Sequence, residues 1–166
     1  DIIIISDLDE IIDTDVLVNI QNKTYVLENN RLYALEQDLY YYNLNTRYIH
    51  KWYHSKILNF HTYMNKFRRD TETIRMYCQY SKITKGGWHL TYFGDVNFIK
   101  NKLRHFSHQE FNNDKYVNDD KILNDIKNCK SLFQKEGNDA KSFDFVNIKD
   151  NTYLPKKYQY LHMFFT

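Results

Sequence analysis

The chain has 166 residues, which is the length of one ordinary domain. Hydrophobic residues make up 42% of it and aromatic residues 17%, and this composition excludes intrinsic disorder as the main state. The net charge of +2 creates no strong single-sign field, so nucleic acid is not expected as a partner.

The first predicted element is the run Ile2–Ile5. Four β-branched residues without polar alternation predict a strand covered on both faces, as in a parallel α/β sheet. The run is far shorter than the roughly 20 residues of a bilayer-spanning helix, so no membrane span is expected. Asp7, Asp9 and Glu10 follow it directly, at the strand end where open α/β sheets bind their ligands.

The next part of the chain mixes short helical and extended patterns. Apolar spacing from Asp13 to Ile20 predicts a short helix capped by Thr14 or Asp15. The segment Leu32–Asn45 fits a helix by its spacing and a strand by its tyrosine run, and we favour the strand. The remaining predictions are strands at Thr24–Glu28 and Ser55–Phe60, a helix at Thr62–Arg69 and extended chain at Thr73–Gln79.

Clearer signals follow in the second half. Gly86–Gly94 predicts an aromatic strand that is entered through a Gly-Gly turn. Asp95 then has the position of an N-cap for a helix that runs to about Ser107. Asp119–Phe133 predicts a further helix with acidic residues in its first turn. Because no repeat or low-complexity linker interrupts the chain, we expect a single domain over residues 1–166.

The acidic cluster suggests a metal site. Asp7 and Asp9 are separated by one residue, and hard ions such as Mg²⁺ or Mn²⁺ take carboxylate oxygens while keeping positions open for phosphate. Either aspartate also suits an Asx-turn or a helix N-cap, so both interpretations stay open. Cys78 and Cys129 show no CxxC spacing, and a cysteine-rich zinc site is therefore not expected.

Several ordered segments together resemble glycosyltransferase family 17, the β-1,4-mannosyl-glycoprotein 4-β-N-acetylglucosaminyltransferases. The similar segments are Ile4–Ile11 (IISDLDEI), Tyr41–Asn45 (YYNLN), Gly86–Phe93 (GGWHLTYF), Lys102-Leu103 and Phe106–Glu110 (FSHQE). The resemblance implies a GT-A-type α/β fold, a Rossmann-like mixed sheet flanked by helices, here without its N-terminal strands. The chain would then be an N-terminally truncated glycosyltransferase catalytic domain.

The resemblance also implies a chemistry. N-acetylglucosamine would pass with inversion from a UDP-N-acetylglucosamine donor to a hydroxyl of a β-mannosyl glycan or glycoprotein acceptor. Asp7 and Asp9 would hold Mn²⁺ or Mg²⁺ at the diphosphate. Apart from the resemblance, imidazole is a frequent metal ligand and hydrogen-bond donor, so His89 and His108 are each candidates to complete the metal shell or to bind phosphate. The resemblance implies the Golgi lumen or another secretory compartment. The heavy use of Asn, Lys, Ile and Tyr is typical of AT-rich codons, so a viral or bacterial cytoplasmic protein is the other interpretation.

The incoming hydroxyl needs a base, and a carboxylate on a later loop would supply it. Asp95 and Glu110 are the two candidates, although Asp95 equally suits a helix N-cap and Glu110 a solvated charge. His89 is a candidate for donor or phosphate binding, and a hydrogen-bonded core histidine is the other interpretation.

The GGWHLTYF segment adds candidates for donor and acceptor binding. Trp88 and Tyr92 would offer aromatic faces to a sugar, or else belong to the core. Gly86 and Gly87 would allow a turn or a close substrate approach that a Cβ blocks.

Two other functions remain open. A strand followed by DxD also begins the haloacid-dehalogenase-like phosphatases, whose first Asp is the nucleophile, but Ile11 and the lack of a second acid soon after Asp95 depart from their pattern. A non-catalytic carbohydrate-binding remnant is the third possibility. Binding of Mn²⁺ together with UDP by Asp7 and Asp9 separates the transferase from the remnant.

Overall fold

A computed structural model describes residues 1–106, 109–133 and 142–162 of this mixed α/β chain. The strands are β1 (Ile2–Ile5), β2 (Glu10–Ile12), β3 (Tyr33–Tyr41), β4 (Thr46–Trp52), β5 (Lys56–Asn59), β6 (Ser81–Thr91) and β7 (Phe143–Phe145). The α-helices are α1 (Thr14–Gln21), α2 (Phe60–Asn65), α3 (Thr71–Met76), α4 (Val96–His105), α5 (Asp119–Lys127) and α6 (Tyr158–His162), with 3₁₀ turns at Gln109–Phe111 and Ile148–Asp150.

The chain divides into two compact units. The first contains residues 1–38 and 51–89, and the second contains residues 39–50 and 90–166, so β3, β4 and β6 each contribute residues to both. The single domain over residues 1–166 therefore stays a prediction. None of the helices in the described part of the chain has the length and apolar character needed to cross a bilayer.

In the first unit β5 lies between β1 and β3 and pairs with both in the antiparallel sense, with Ile57 opposite Ile4 and Tyr33. β2 pairs with β6, also antiparallel, which places Glu10 opposite His89. β6 also lies beside β3, and these two strands run parallel. Leu32 lies beside Ser81, and Leu35 lies beside Gly86. The sheet is therefore mixed, as the GT-A-type expectation required, although the specific GT-A fold remains a proposal.

The isoleucine run of β1 is covered only in part: Ile2 is exposed, and the next three isoleucines are half-buried with apolar contacts on both faces. Ile4 packs against one apolar cluster, around Leu35 and Ile57, whereas Ile3 and Ile5 pack against another. The expected parallel neighbour is wrong, because β5 runs antiparallel to β1. A β-branched run indicates apolar contacts on both faces and carries no information about the direction of its partner.

Other elements of the first unit differ from the sequence predictions. α1 is capped by Asp13, whose side chain accepts a hydrogen bond from the backbone of Asp15, so neither Thr14 nor Asp15 is the cap. α3 replaces the extended chain predicted from residue 73, and Thr24–Glu28 does not form a strand. β6 already begins at Ser81. Its two glycines are therefore interior strand residues and form no entry turn.

The second unit contains the turn between β3 and β4, which the sequence did not predict. Tyr42 takes a left-handed conformation, with φ of 67°, and the side chain of Asn43 accepts hydrogen bonds from the backbones of Asn45 and Thr46. β4 then pairs with β7. The helix α4 starts at the predicted cap Asp95, whereas α5 ends at Lys127, earlier than predicted.

Candidate functional site

The acidic segment after β1 forms a closed turn in the first unit. The backbone N–H of Glu10 donates to the carbonyl of Asp7 at 3.2 Å, and the backbone N–H of Asp7 donates to Oε2 of Glu10 at 2.9 Å. Leu8 lies at the tip and is fully exposed. The two aspartates of the DxD motif therefore flank a short, internally bonded turn.

Glu10 anchors this turn in the protein interior. Its side chain is 5% exposed, and its carboxylate accepts three hydrogen bonds. Besides Asp7, the donors are Trp52 Nε1 at 2.5 Å and Ser55 Oγ at 2.6 Å. A buried carboxylate needs such donors to offset the loss of water, so Glu10 holds the turn against the β4–β5 connection. No local pattern in the sequence indicated Trp52 or Ser55.

Asp7 forms an ion pair with Arg75 of α3. The guanidinium donates two parallel hydrogen bonds, Nη1 to Oδ1 at 2.5 Å and Nη2 to Oδ2 at 2.6 Å. This pairing raises the pKa of Arg75 above its usual range. Both side chains remain partly exposed. The sequence did not single out Arg75, because residues 73–79 were expected to be extended.

Asp9 lies beside His89. Nε2 of His89 is 3.3 Å from Oδ1 of Asp9, and His89 itself is 7% exposed. Within the described part of the chain, Nδ1 of His89 is buried without a hydrogen-bond partner. The register between β2 and β6 produces this contact, since Glu10 sits opposite His89. Two of the segments that resemble family 17, IISDLDEI and GGWHLTYF, therefore meet in one place.

Three rings lie next to the acidic turn. The indole of Trp52 stacks on the imidazole of His54, with centroids 4.3 Å apart and planes at 16°. Its centroid is also 4.8 Å from that of His89. Burial lowers the pKa of His54 below its usual value, and the Lys56 and Arg75 cations act in the same direction. Sequence reasoning did not single out His54.

The other candidates on β6 are interior residues. A Cβ on Gly86 would lie 2.6 Å from Cβ of Leu35, and one on Gly87 would lie 2.0 Å from the carbonyl of Ile11. The space that these glycines leave is therefore filled by β3 and β2. Trp88 is buried opposite Ile11. These contacts explain the three residues by sheet packing, and their sugar-binding role has no independent support.

Three candidates belong to the second unit. Asp95 Oδ1 accepts a hydrogen bond from the backbone of Phe98 at 2.8 Å, which is the N-cap interaction. Glu110 lies in an exposed 3₁₀ turn. Tyr92 is buried, with Lys102 Nζ 4.8 Å from its ring centroid. His108 lies outside the described residues.

The donor set for a metal ion is limited in this arrangement. Across residues 1–106, 109–133 and 142–162, no three His, Cys, Asp or Glu side chains are grouped so as to hold a metal. The carboxylates of Asp7 and Asp9 have the hard oxygens that Mn²⁺ and Mg²⁺ prefer. Both oxygens of Asp7 nevertheless accept from Arg75. A cation at Asp7 therefore requires Arg75 to leave it.

Comparisons with known proteins do not place the chain in a family: no family model, no curated protein and no solved structure matches it.

Proposed function

We propose that the chain is the catalytic portion of an inverting glycosyltransferase that moves N-acetylglucosamine from UDP-N-acetylglucosamine to a hydroxyl of a β-mannosyl glycan. The observation that carries this proposal is the contact between Asp9 and His89, 3.3 Å apart. It joins two segments that resemble family 17 and are about 80 residues apart in the sequence. Their meeting in space favours a shared site over two unrelated sequence coincidences.

The proposed donor interaction uses the charges of the acidic turn. Arg75 suits a diphosphate, since its planar fork binds phosphate as readily as the carboxylate of Asp7. When the diphosphate arrives, Arg75 moves from Asp7 to a phosphate oxygen. Asp7 and Asp9 then become available to Mn²⁺ or Mg²⁺, whose charge, when bound, would offset that of the departing UDP. The metal is therefore expected to bind together with the nucleotide rather than before it.

The acceptor hydroxyl must lose a proton as it attacks the anomeric carbon. Asp95 and Glu110 remain the carboxylate candidates for this base. In Asp95 the oxygen Oδ1 is already used as a helix cap, whereas Glu110 is exposed. Asp95→Asn and Glu110→Gln distinguish the two candidates. Only the variant that lacks the base should lose turnover while its donor binding stays unchanged.

The proposed activity is tested by transfer of N-acetylglucosamine to a β-mannosyl glycan acceptor in the presence of Mn²⁺. We expect Asp7→Asn and Asp9→Asn each to abolish Mn²⁺-dependent nucleotide binding and transfer, since an amide is a much weaker ligand for a hard cation. Asp15→Asn is the matched control, because Asp15 is an exposed aspartate of α1.

The fold should survive these changes, since the ion pair between Asp7 and Arg75 is partly exposed and such pairs contribute little to stability. Far-ultraviolet circular dichroism checks this. Nucleotide binding retained in both variants would overturn the proposed function. Glycan binding without nucleotide or metal would instead favour the carbohydrate-binding remnant, and phosphomonoester hydrolysis would favour the phosphatase.

A further inference from the structure

His54 is held next to the acidic turn from two sides. Its ring stacks on Trp52, and Trp52 is itself fixed by its 2.5 Å hydrogen bond to Glu10. The following residue, Ser55, donates to the same carboxylate at 2.6 Å. Trp52 and Ser55 therefore both donate to the buried carboxylate of Glu10, and this fixes the position and the plane of the imidazole.

The imidazole of His54 is accessible, in contrast to that of His89. His54 is an exposed residue, whereas His89 is 93% buried, being only 7% exposed. Within the described part of the chain, neither ring nitrogen of His54 takes part in a hydrogen bond. A nitrogen that is oriented, open to solvent and unbonded is suited to accept a proton from a bound molecule.

The charges around His54 favour its neutral form. Partial burial has the largest effect and lowers its pKa. The Lys56 and Arg75 cations lower the pKa further, whereas the Glu10 and Asp7 carboxylates raise it. Lys56 of β5 is itself buried, with its ammonium group 4.5 Å from the ring centroid of Tyr80. The lowered pKa favours the neutral imidazole, which is the form that accepts a proton.

We propose that His54 is the general base that accepts the proton of the attacking hydroxyl. This inference rests on the proposed glycosyltransferase function. The hydroxyl oxygen forms a bond to the anomeric carbon, and its proton passes to an imidazole nitrogen of His54. The bond between that carbon and the β-phosphate oxygen breaks, and its electron pair leaves with UDP. His54 thus competes with Asp95 and Glu110 for this role, and it has the advantage of lying in the same unit as the acidic turn.

The experiment compares His54→Gln with the wild-type chain, and His61→Gln, an exposed histidine of α2, is the matched control. UDP-N-acetylglucosamine binding and UDP release are measured separately, both with Mn²⁺. We expect His54→Gln to bind the donor with unchanged affinity and to release UDP roughly a hundredfold more slowly or worse. His61→Gln should behave as wild type in both assays.

The pH profile distinguishes a base from a structural residue. Since only neutral His54 accepts a proton, wild-type turnover should fall as the pH drops through the pKa of His54, below that of an ordinary histidine. The titratable and charged groups around the stacked rings of Trp52 and His54, which influence this pKa, are Asp7, Glu10, Lys56, Arg75 and His89. The acid limb should disappear in His54→Gln and persist in His61→Gln.

Two results would overturn this inference without affecting the proposed function. One is donor binding together with wild-type UDP release in His54→Gln, and the other is an unchanged acid limb in the pH profile of that variant. With diamagnetic Mg²⁺ in place of Mn²⁺, the ring-proton NMR signal of His54 gives a check without turnover, because it should shift when the donor is added. No shift at saturating donor would also contradict the proposed role. Failure of the wild-type chain to bind the donor would overturn the proposed function and this inference together.

Discussion

At the scale of single residues, the three carboxylates of the acidic turn have different environments that the sequence alone does not distinguish. Glu10 is buried and accepts three hydrogen bonds, whereas Asp7 and Asp9 are partly exposed and contact Arg75 and His89. One carboxylate therefore fixes the turn, whereas the other two lie nearer the surface, beside Arg75 and His89. The pattern DLDE does not distinguish these roles, because two of the three donors to Glu10 come from residues more than 40 positions away.

Glu10→Gln should destabilise the protein. A glutamine replaces one acceptor oxygen by an N–H₂ group, which would face a donor from Trp52 or from Ser55 and Asp7. We expect a loss of about 1–3 kcal/mol in the free energy of unfolding, measured by urea denaturation. Glu110→Gln is the control, since Glu110 is exposed. Equal stability of Glu10→Gln and the wild type would contradict the anchoring role.

Gly87→Ala should destabilise the protein through both its backbone and its packing. The φ of Gly87 is +134°, which L-residues rarely adopt, and a Cβ would lie 2.0 Å from the carbonyl of Ile11. The strain alone costs on the order of 1–3 kcal/mol, visible as a lower melting temperature. Gly94→Ala is the comparison, because its Cβ would meet the side chain of Phe98, which is 50% exposed. A smaller loss in Gly87→Ala than in Gly94→Ala would refute this account of β6.

At the scale of elements, helices could be predicted at α1, α2, α4 and α5, although their ends are shifted, whereas α3 could not. Asp95 precedes a long amphipathic pattern, and its capping is confirmed. α3 spans six residues, of which Ile74 alone is buried, so it has no apolar periodicity to detect. β4 was missed because its turn uses Tyr42 and an Asn43 side chain instead of glycine. These choices depend on packing rather than on local pattern.

Asp95→Ala and Asp95→Asn should separate the cap of α4 from any catalytic role. The alanine variant loses the acceptor for the backbone N–H of Phe98, at a cost of about 0.5–2 kcal/mol, whereas asparagine caps almost as well. Urea denaturation measures both. Unchanged stability in Asp95→Ala would show that the cap contributes little. If Asp95→Asn kept its stability yet lost turnover, the carboxylate rather than the cap would be required, and His54 would not be sufficient as the base.

At the scale of the whole molecule, the mixed α/β class could be predicted and the strand partners could not. The isoleucine run indicated coverage of both faces, yet β5, its antiparallel partner, is more than 50 residues further along the chain. Pairing over such distances is decided by the packing of the whole sheet. The same holds for the candidate site: the sequence indicated Asp7 and Asp9, whose role stays a prediction, while Trp52, His54 and Arg75 lie near them only because of the fold.

The central claim is that the acidic turn binds a nucleotide diphosphate together with a divalent ion. Calorimetric titration of UDP-N-acetylglucosamine into the wild-type chain, once with Mn²⁺ and once with EDTA, tests it most directly. We predict saturable binding with Mn²⁺ that is lost in EDTA, and little binding of Mn²⁺ alone, because Arg75 holds Asp7 until the diphosphate arrives. Absence of binding in both conditions, or equal binding in both, would contradict the claim.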